Sequence, residues 1–443
     1  MAAQPSYNPL AQALNERLQA AAPEAFSMLS ALGKRLYFPK GILFQGAQAK
    51  ERGKRINATI GIATEGGGPM YLPSIHAHVS GVSPADAYTY APPSGRPRLR
   101  ELWRAKLLRE NPSLQGKSFG TPIVTSAITH GLAIAGDLFV DPGDVVLMPD
   151  QLWGNYRLAY EVRLGGVIKT FPFFAGAGFN TDGFRAALEQ NARERDKLIV
   201  LLNFPNNPTG YMPTEQEGQS IVAAIEGVAK AGKKLCVLCD DAYFGLFYHI
   251  GGRSMTESLF ARLTNLHPNI LAVKLDGATK ELFVWGLRCG FITFGLGRAE
   301  ANDALDALDA KVRGDIRAVV SNSPQLSQAL VEQALASENI ERERAHKRGV
   351  LEARAKEVDR VARQPKYRDS WEVYPFNSGY FMLIKVKGVR AEPLREHLLD
   401  KHQVGLIATA ESDLRIAFSC LEVGQVEALF ETIHAAVGEL RSA

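Results

Sequence analysis

Three groups of polar residues stand where apolar runs of this chain end, and their side chains are of the kinds that move protons and hold anions. After KLIVLL comes Asn203-Phe204-Pro205-Asn206-Asn207-Pro208-Thr209-Gly210. After LCVLC comes Asp240-Asp241-Ala242-Tyr243. After ILAVKLDGAT comes Lys280, with Arg288 eight residues further on in GLRCG. In open α/β sheets ligands gather where strands end and the chain turns, so an amine, two carboxylates, a phenol and a guanidinium at such ends could share one site. Each also has a plain structural use. NPTG is a good turn, aspartate often ends a strand, and a lone lysine is usually solvated. It is their order and spacing, taken together, that point to chemistry.

The elements that must carry these residues show in the apolar pattern. From about Thr121 to Gly295 short apolar runs (DVVLMPD, GVIKTFPF, KLIVLLNF, KLCVLCDD, NILAVKL and GFITFG) alternate with helix-length intervals. Runs apolar at every position predict strands covered on both faces, hence an α/β, three-layer domain with a mostly parallel sheet. The first 40 or so residues carry an Ala/Leu-rich helical pattern ending near Tyr37-Phe38-Pro39. Toward the C-terminus a charged helical stretch over Gln325–Val361 precedes strand-like WEVYPF, GYFMLIKV and LRIAFS, which alternate with helices over Glu392–Lys401 and Val426–Leu440. This α+β pattern predicts a smaller domain drawn from both termini, residues 1–84 and 326–443, beside a large domain over 85–325.

Composition bounds the partners. A chain of 443 residues with 46% hydrophobic and 22% charged residues is globular in character and long enough for two or three domains. Its net charge of +4 is scattered, with no basic run or basic–aromatic stripe, so nucleic acid is not expected as a partner. The apolar stretches fall short of the roughly 20 residues that span a bilayer, and the N-terminal segment lacks the pattern of a secretory signal. A soluble, cytoplasmic protein is expected. Of the four cysteines, Cys236 and Cys239 form a CxxC inside a strand-like run, where buried structural thiols are expected. His76 and His78 form an HxH with no further ligands nearby, so no metal centre is expected there; a loop at the mouth of the active site is the better reading.

NNPTG, D-x-A-Y and K-x7-R in this order resemble the aspartate aminotransferase superfamily, the class I/II aminotransferases of fold type I, which use pyridoxal phosphate (PLP). The resemblance runs from about Gly61 to Arg415. It implies that Lys280 forms a Schiff base with PLP and carries a proton between substrate and cofactor. It makes Asp240 the carboxylate that keeps the pyridine nitrogen protonated, with Asp241 as a competitor. Asn207 and Tyr243 become donors to the phenolic oxygen. Arg288 becomes a phosphate ligand, Ala127-Ile128-Thr129 a phosphate cup at a helix start, and Trp153 the aromatic stacked on the ring. Tyr90, in Y-x4-G-x3-LR, resembles the tyrosine that reaches the phosphate across a dimer interface. Two departures stand out: Gly277-Ala278 replace hydroxyl residues that relatives often carry before the lysine, and Ile128 replaces a small one. Lys274 is a rival for Lys280 but lacks the spacing to Arg288.

On the substrate side the resemblance makes Arg415 the grip for an α-carboxylate and places Gly61 and Asn207 near the substrate. It matches Arg317, in IRAVVSNSP, to a residue brought by the neighbouring subunit to a side-chain carboxylate. Asn377-Ser378-Gly379-Tyr380-Phe381 also matches, without a defined role. A homodimeric aminotransferase moving an amino group from an L-amino acid, possibly aspartate or glutamate, to a 2-oxo acid is therefore expected. A PLP-dependent lyase or decarboxylase with the same cofactor site is the alternative. The sensor half of a transcription regulator would need a DNA-binding domain before Gly61, and no basic recognition helix is visible there.

Overall fold

The computed structural model describes residues 7–39, 41–299 and 302–442. The apolar runs form a seven-stranded sheet: β1 Ile123–Ser126, β2 Val145–Pro149, β3 Val167–Phe171, β4 Lys197–Asn203, β5 Lys234–Asp240, β6 Ile270–Gly277 and β7 Cys289–Leu296. Their spatial order is β1-β7-β6-β5-β4-β2-β3. All neighbours are parallel except β7, which runs antiparallel to both β6 and β1. The link from β6 to β7 carries only two short helical turns, Ala278–Glu281 and Trp285–Leu287, rather than a helix long enough to cross the sheet, and the chain reverses. In β4 and β5 every residue after the first is buried, which requires cover on both faces. Helices Ala127–Phe139 and Glu215–Lys230 are among those supplying it. The second starts on a capping box, Thr214 Oγ1 accepting from Glu217 N–H while Thr214 N–H donates to the Glu217 carboxylate.

A second sheet, fully antiparallel, comprises β8 Trp371–Val373, β9 Phe381–Val386, β10 Ile407–Ala408 and β11 Asp413–Ala417 in the order β8-β9-β11-β10. Helix Ile340–Ala362 and the C-terminal helix Val426–Ser442 pack together beside it. The N-terminal segment joins this region through a parallel pairing of Ile56–Asn57 with Val404–Gly405.

Two local expectations change. The stretch Gln325–Val361 is two helices, Gln325–Ala336 and Ile340–Ala362, interrupted at Ser337, whose Oγ accepts from Asn339 N–H. Serine and asparagine offer the backbone such local alternatives to helix. β1 was not among the apolar runs, because it is only four residues long and ends in Thr125-Ser126.

The two sheets meet at the NNPTG turn. Asn206 Oδ1 accepts from Thr209 N–H and Oγ1, and Gly210 O accepts from the N–H groups of Asn377 and Ser378. Gly210 has φ +73°, and a Cβ there would lie 2.0 Å from Phe381 O. Only glycine fits that approach. Gly210→Ala is expected to cost about 3 kcal/mol or more through strain and overlap, read as a lower midpoint of thermal unfolding. An unchanged midpoint would contradict this account of the seam.

Candidate active site

Strand ends deliver the chemistry to one cavity of about 210 Å³, lined by Gly61, Ile128, Thr129, Trp153, Tyr156, Asn207, Asp240, Tyr243, Lys280, Phe381 and Arg415, together with Ile42, Asn203 and Ala242. Asp240 ends β5 fully buried. Its Oδ2 accepts from Tyr156 Oη at 2.6 Å and its Oδ1 from Ala242 N–H at 3.1 Å. Burial raises this carboxyl to about 6, against the opposing pull of Tyr156 and Lys280. Asp241, next along, turns to the other side of the sheet. There it pairs with Lys274, and its Oδ2 accepts from Ser258 Oγ at 2.6 Å. Lys274 is itself buried and 3.5 Å from Asp276. Both rivals are thus bound to each other outside the cavity lining.

Lys280 sits on a one-turn helix, Ala278–Glu281, just after β6. A Cβ at Gly277 would lie 2.8 Å from both Cys289 O and Gly290 Cα, so close packing of β6 on β7 accounts for the glycine before this turn. Tyr380 Oη donates to Lys280 O at 3.1 Å, which gives Asn377–Phe381 a part in fixing the lysine. Among the described residues the Lys280 amine has no hydrogen-bond or ion-pair partner; it lies 5.3 Å from the Tyr243 ring centroid. Burial lowers it to about 8, with Asp240 opposing and Arg288 reinforcing the shift.

Arg415, at the centre of β11, is buried. Its Nη1 donates to Asn207 Oδ1 at 2.9 Å and its Nη2 to Thr59 O at 2.8 Å, and its guanidinium lies 4.1 Å from the Phe381 ring centroid. Its buried Nε has no partner among the described residues. Gly61 lies close enough that a Cβ would come within 3.9 Å of Tyr243 Oη. Helix Ala127–Phe139 opens at the cavity with no side-chain cap, leaving its first N–H groups to face an anion.

Four expected residues do not line the cavity of this chain. Ala127, the first residue of its helix, is buried with φ +69° just outside the lining. Arg288 is exposed, with φ +52° and its Nη1 donating to Trp285 O; its charge still reaches Lys280. Tyr90 is 89% exposed. Arg317 is exposed on helix Asn302–Val319, donating to Ser321 Oγ. His76 and His78 also lie outside the lining. Conversely, Tyr156 belongs to the site without any signal in the sequence, and Asn203, singled out only as the start of a polar group, also lines it. Tyr156 follows Trp153 by three residues, and Asn203, whose side chain bonds Asp240 O and Asn207 N–H, opens the NNPTG segment. Ile42 gave no signal. A larger cleft, about 530 Å³, lies behind Lys280. Glu281 there is paired with Lys106 and Arg344, so that cleft presents matched charges rather than an unpartnered amine.

A doubly covered, mostly parallel sheet with a buried lysine just after its sixth strand is the architecture of fold type I PLP-dependent transferases. The comparisons agree. A family model described as aminotransferase class I and II matches residues 83–433, and the chain belongs to that family. It is 29% identical over 226 residues to an aspartate aminotransferase of Streptomyces avermitilis (51% of this chain, 50% of that protein). It is 36% identical over 207 residues to an aspartate/prephenate aminotransferase of Thermus thermophilus (46% and 47%). The chain thus matches about half the length of these relatives or less. Among solved structures, an aminotransferase from Anaerococcus prevotii superposes with TM-score 0.81 at 22% identity, covering 93% of this chain and 99% of that one. A Pyrococcus horikoshii kynurenine aminotransferase, in complex with PMP, gives 0.78 at 14%, covering 95% and 99%. No described helix is long and apolar enough to cross a membrane.

The electrostatics set the pH behaviour of the cofactor-free chain. Lys280, lowered from 10.5 to about 8, contributes stability above pH 10.5 that is lost as pH falls through about 8. Asp240, raised from 3.8 to about 6, contributes stability below pH 3.8 that is lost as pH rises through about 6. Amine-directed labelling read by mass spectrometry is expected to modify Lys280 with a midpoint near pH 8. A midpoint near 10.5 would contradict the dry environment assigned to it.

Proposed function

We propose that the chain is a PLP-dependent aminotransferase, and the observation that carries this reading is the buried, unpartnered Lys280 amine facing Asp240 and Arg415 across one cavity. The residues present fit the cofactor. Asp240 offers a buried carboxylate without an ion-pair partner among the described residues, the helix at Ala127-Ile128-Thr129 offers uncapped N–H groups, and Asn207 Nδ2 is free of protein acceptors. Asp240 would hold the proton of the pyridine nitrogen, with Tyr156 fixing the carboxylate. Asn207 and Tyr243 would donate to the phenolic oxygen, Trp153 would cover the ring, and Ala127–Thr129 with Arg288 would bind the phosphate. When bound, PLP supplies the electron sink for carbanion chemistry at the substrate α-carbon.

The chain's own groups supply the rest. Arg415 would take the substrate carboxylate in a bidentate grip. Lys280 Nζ would accept the α-proton and return it at the neighbouring carbon, a role suited to an amine whose pKa lies near working pH. Phe381 and Ile42 add apolar surface to the cavity lining.

We also propose a homodimer in the cytoplasm, with a small domain of 1–84 and 326–443 and a large domain of 85–325. Tyr88, Tyr90, Val319 and Val320 are all exposed. The Asn322 amide, oriented to satisfy both its atoms, donates to Ala91 O, so these two segments adjoin. A second subunit there would cover this apolar surface and could present Tyr90 and Arg317 to the neighbouring cavity.

Half-reactions test the activity. Mixing the PLP-loaded protein with single amino acids should convert the cofactor to pyridoxamine phosphate, and a 2-oxo acid should reverse it. Lys280→Ala should slow this by about 10³-fold or more and abolish covalent trapping of the cofactor by borohydride. Ammonia release without an acceptor would instead support the lyase reading. Arg317→Ala is expected to lower kcat/KM for aspartate and glutamate by roughly tenfold or more, the loss of a charged hydrogen bond, and to spare neutral amino acids; equal losses would remove this specificity role.

A further inference from the structure

On the face of the molecule formed by two packed helices, Ala391–His402 and Val426–Ser442, three side chains converge on one point. His397 Nε2 lies 2.6 Å and His402 Nε2 3.1 Å from the same oxygen, Glu439 Oε2. One potential ligand atom from each of the three lies within 4.8 Å of the others. Helical spacing does not produce this arrangement by default. Residues five apart point roughly 140° away from each other around a helix axis, yet here both rings turn to one carboxylate. Each histidine side chain is 21% exposed and Glu439 47% exposed, so water can reach the cluster.

The chemistry suits a borderline-soft divalent cation. Two imidazoles and a carboxylate make a familiar three-ligand set for zinc, with water in the fourth position. Zinc–ligand bonds of about 2.0–2.1 Å place tetrahedral ligands roughly 3.3 Å apart, so the present separations need only side-chain rotation. Neither Nδ1 has a protein partner among the described residues, so each ring can carry its proton there and turn the Nε2 lone pair inward. His402 is the last residue of its helix, where the carbonyl end favours positive charge.

We propose that His397, His402 and Glu439 form a zinc-class divalent cation site that fastens helix Ala391–His402 to the C-terminal helix. The site lies at a corner already tied to the N-terminal segment. Gln403 O accepts from Arg55 and Ile56 N–H, and Arg55 Nη2 donates to Thr432 Oγ1 at 2.6 Å.

The test titrates the full-length, chelator-stripped protein with Zn²⁺ alone by calorimetry. Wild type, His397→Ala/His402→Ala and His76→Ala/His78→Ala are compared, the last removing the exposed HxH. The expected result is one zinc per chain in wild type and in the HxH variant, with affinity more than roughly tenfold weaker in the first double variant. Zinc should also raise the thermal midpoint of wild type and not of that variant. Circular dichroism checks that the variants fold, and Glu439→Gln, which keeps the side-chain shape, should weaken binding in the same direction and carries the test if the double variant fails to fold. No binding by wild type, unchanged binding in the double variant or in Glu439→Gln, or loss confined to the HxH variant would each overturn the proposal.

Discussion

A carboxylate kept in a dry place without a cation of its own is the constraint around which this molecule is arranged. Burying Asp240 costs free energy that a single phenol and one backbone N–H only partly offset. That cost raises the pKa of the carboxyl, making it a weaker acid than an ordinary aspartate. One residue later Asp241 meets the opposite solution, an ion pair with Lys274 supplemented by Ser258. Strand alternation sends two identical side chains into two environments, one closed and satisfied, the other left open to a partner. Removing Lys274 would leave Asp241 as a second uncompensated charge, and for that reason the two halves of the sheet edge cannot be understood separately.

Much of this is legible in the sequence. Strands buried on both faces announce themselves as apolar runs, and β2 and β4 to β7 fell where such runs lie; β3 also fell on its run, but Lys169 and Thr170 interrupt it and, at the sheet edge, only Phe171 is buried. The residues at their C-terminal ends, Asn207, Asp240, Tyr243 and Lys280, meet in one cavity. What escaped has identifiable reasons. β1 is too short to register as a run. Tyr156 looks like any aromatic residue of an amphipathic segment, and only the fold turns its hydroxyl to Asp240. The gap between the helices at Ser337–Asn339 rests on side-chain–backbone hydrogen bonding, a local contest that a charged, helix-favouring composition conceals. Tyr90, Arg288 and Arg317 are different again: the single chain leaves all three exposed, so a role for any of them depends on a bound group or on another subunit.

The seam between the two sheets joins backbone groups to a few amide and hydroxyl side chains. Gly210 O receives two N–H groups from the Asn377-Ser378 segment, and Asn377 returns both its amide atoms to Met212. Three residues on, Tyr380 holds the carbonyl of Lys280. A turn whose sequence reads as loop punctuation is therefore also the register mark that aligns β9 with the lysine, and the identity of its glycine follows from the carbonyl lying against it.

Arg415 draws on three separate stretches of chain at once: a loop of the large sheet through Asn207, the N-terminal segment through Thr59 O, and its own sheet through the Phe381 ring. The guanidinium plane is in effect a gauge of how those stretches are registered. Drift in any of them would tilt the plane before it loosened the fold. Under the proposed role of Arg415, sequence changes outside the lining, in the segment around Thr59 as much as in β11, would then surface as weaker hold on the carboxylate that every amino-acid substrate shares, in a protein that remains folded.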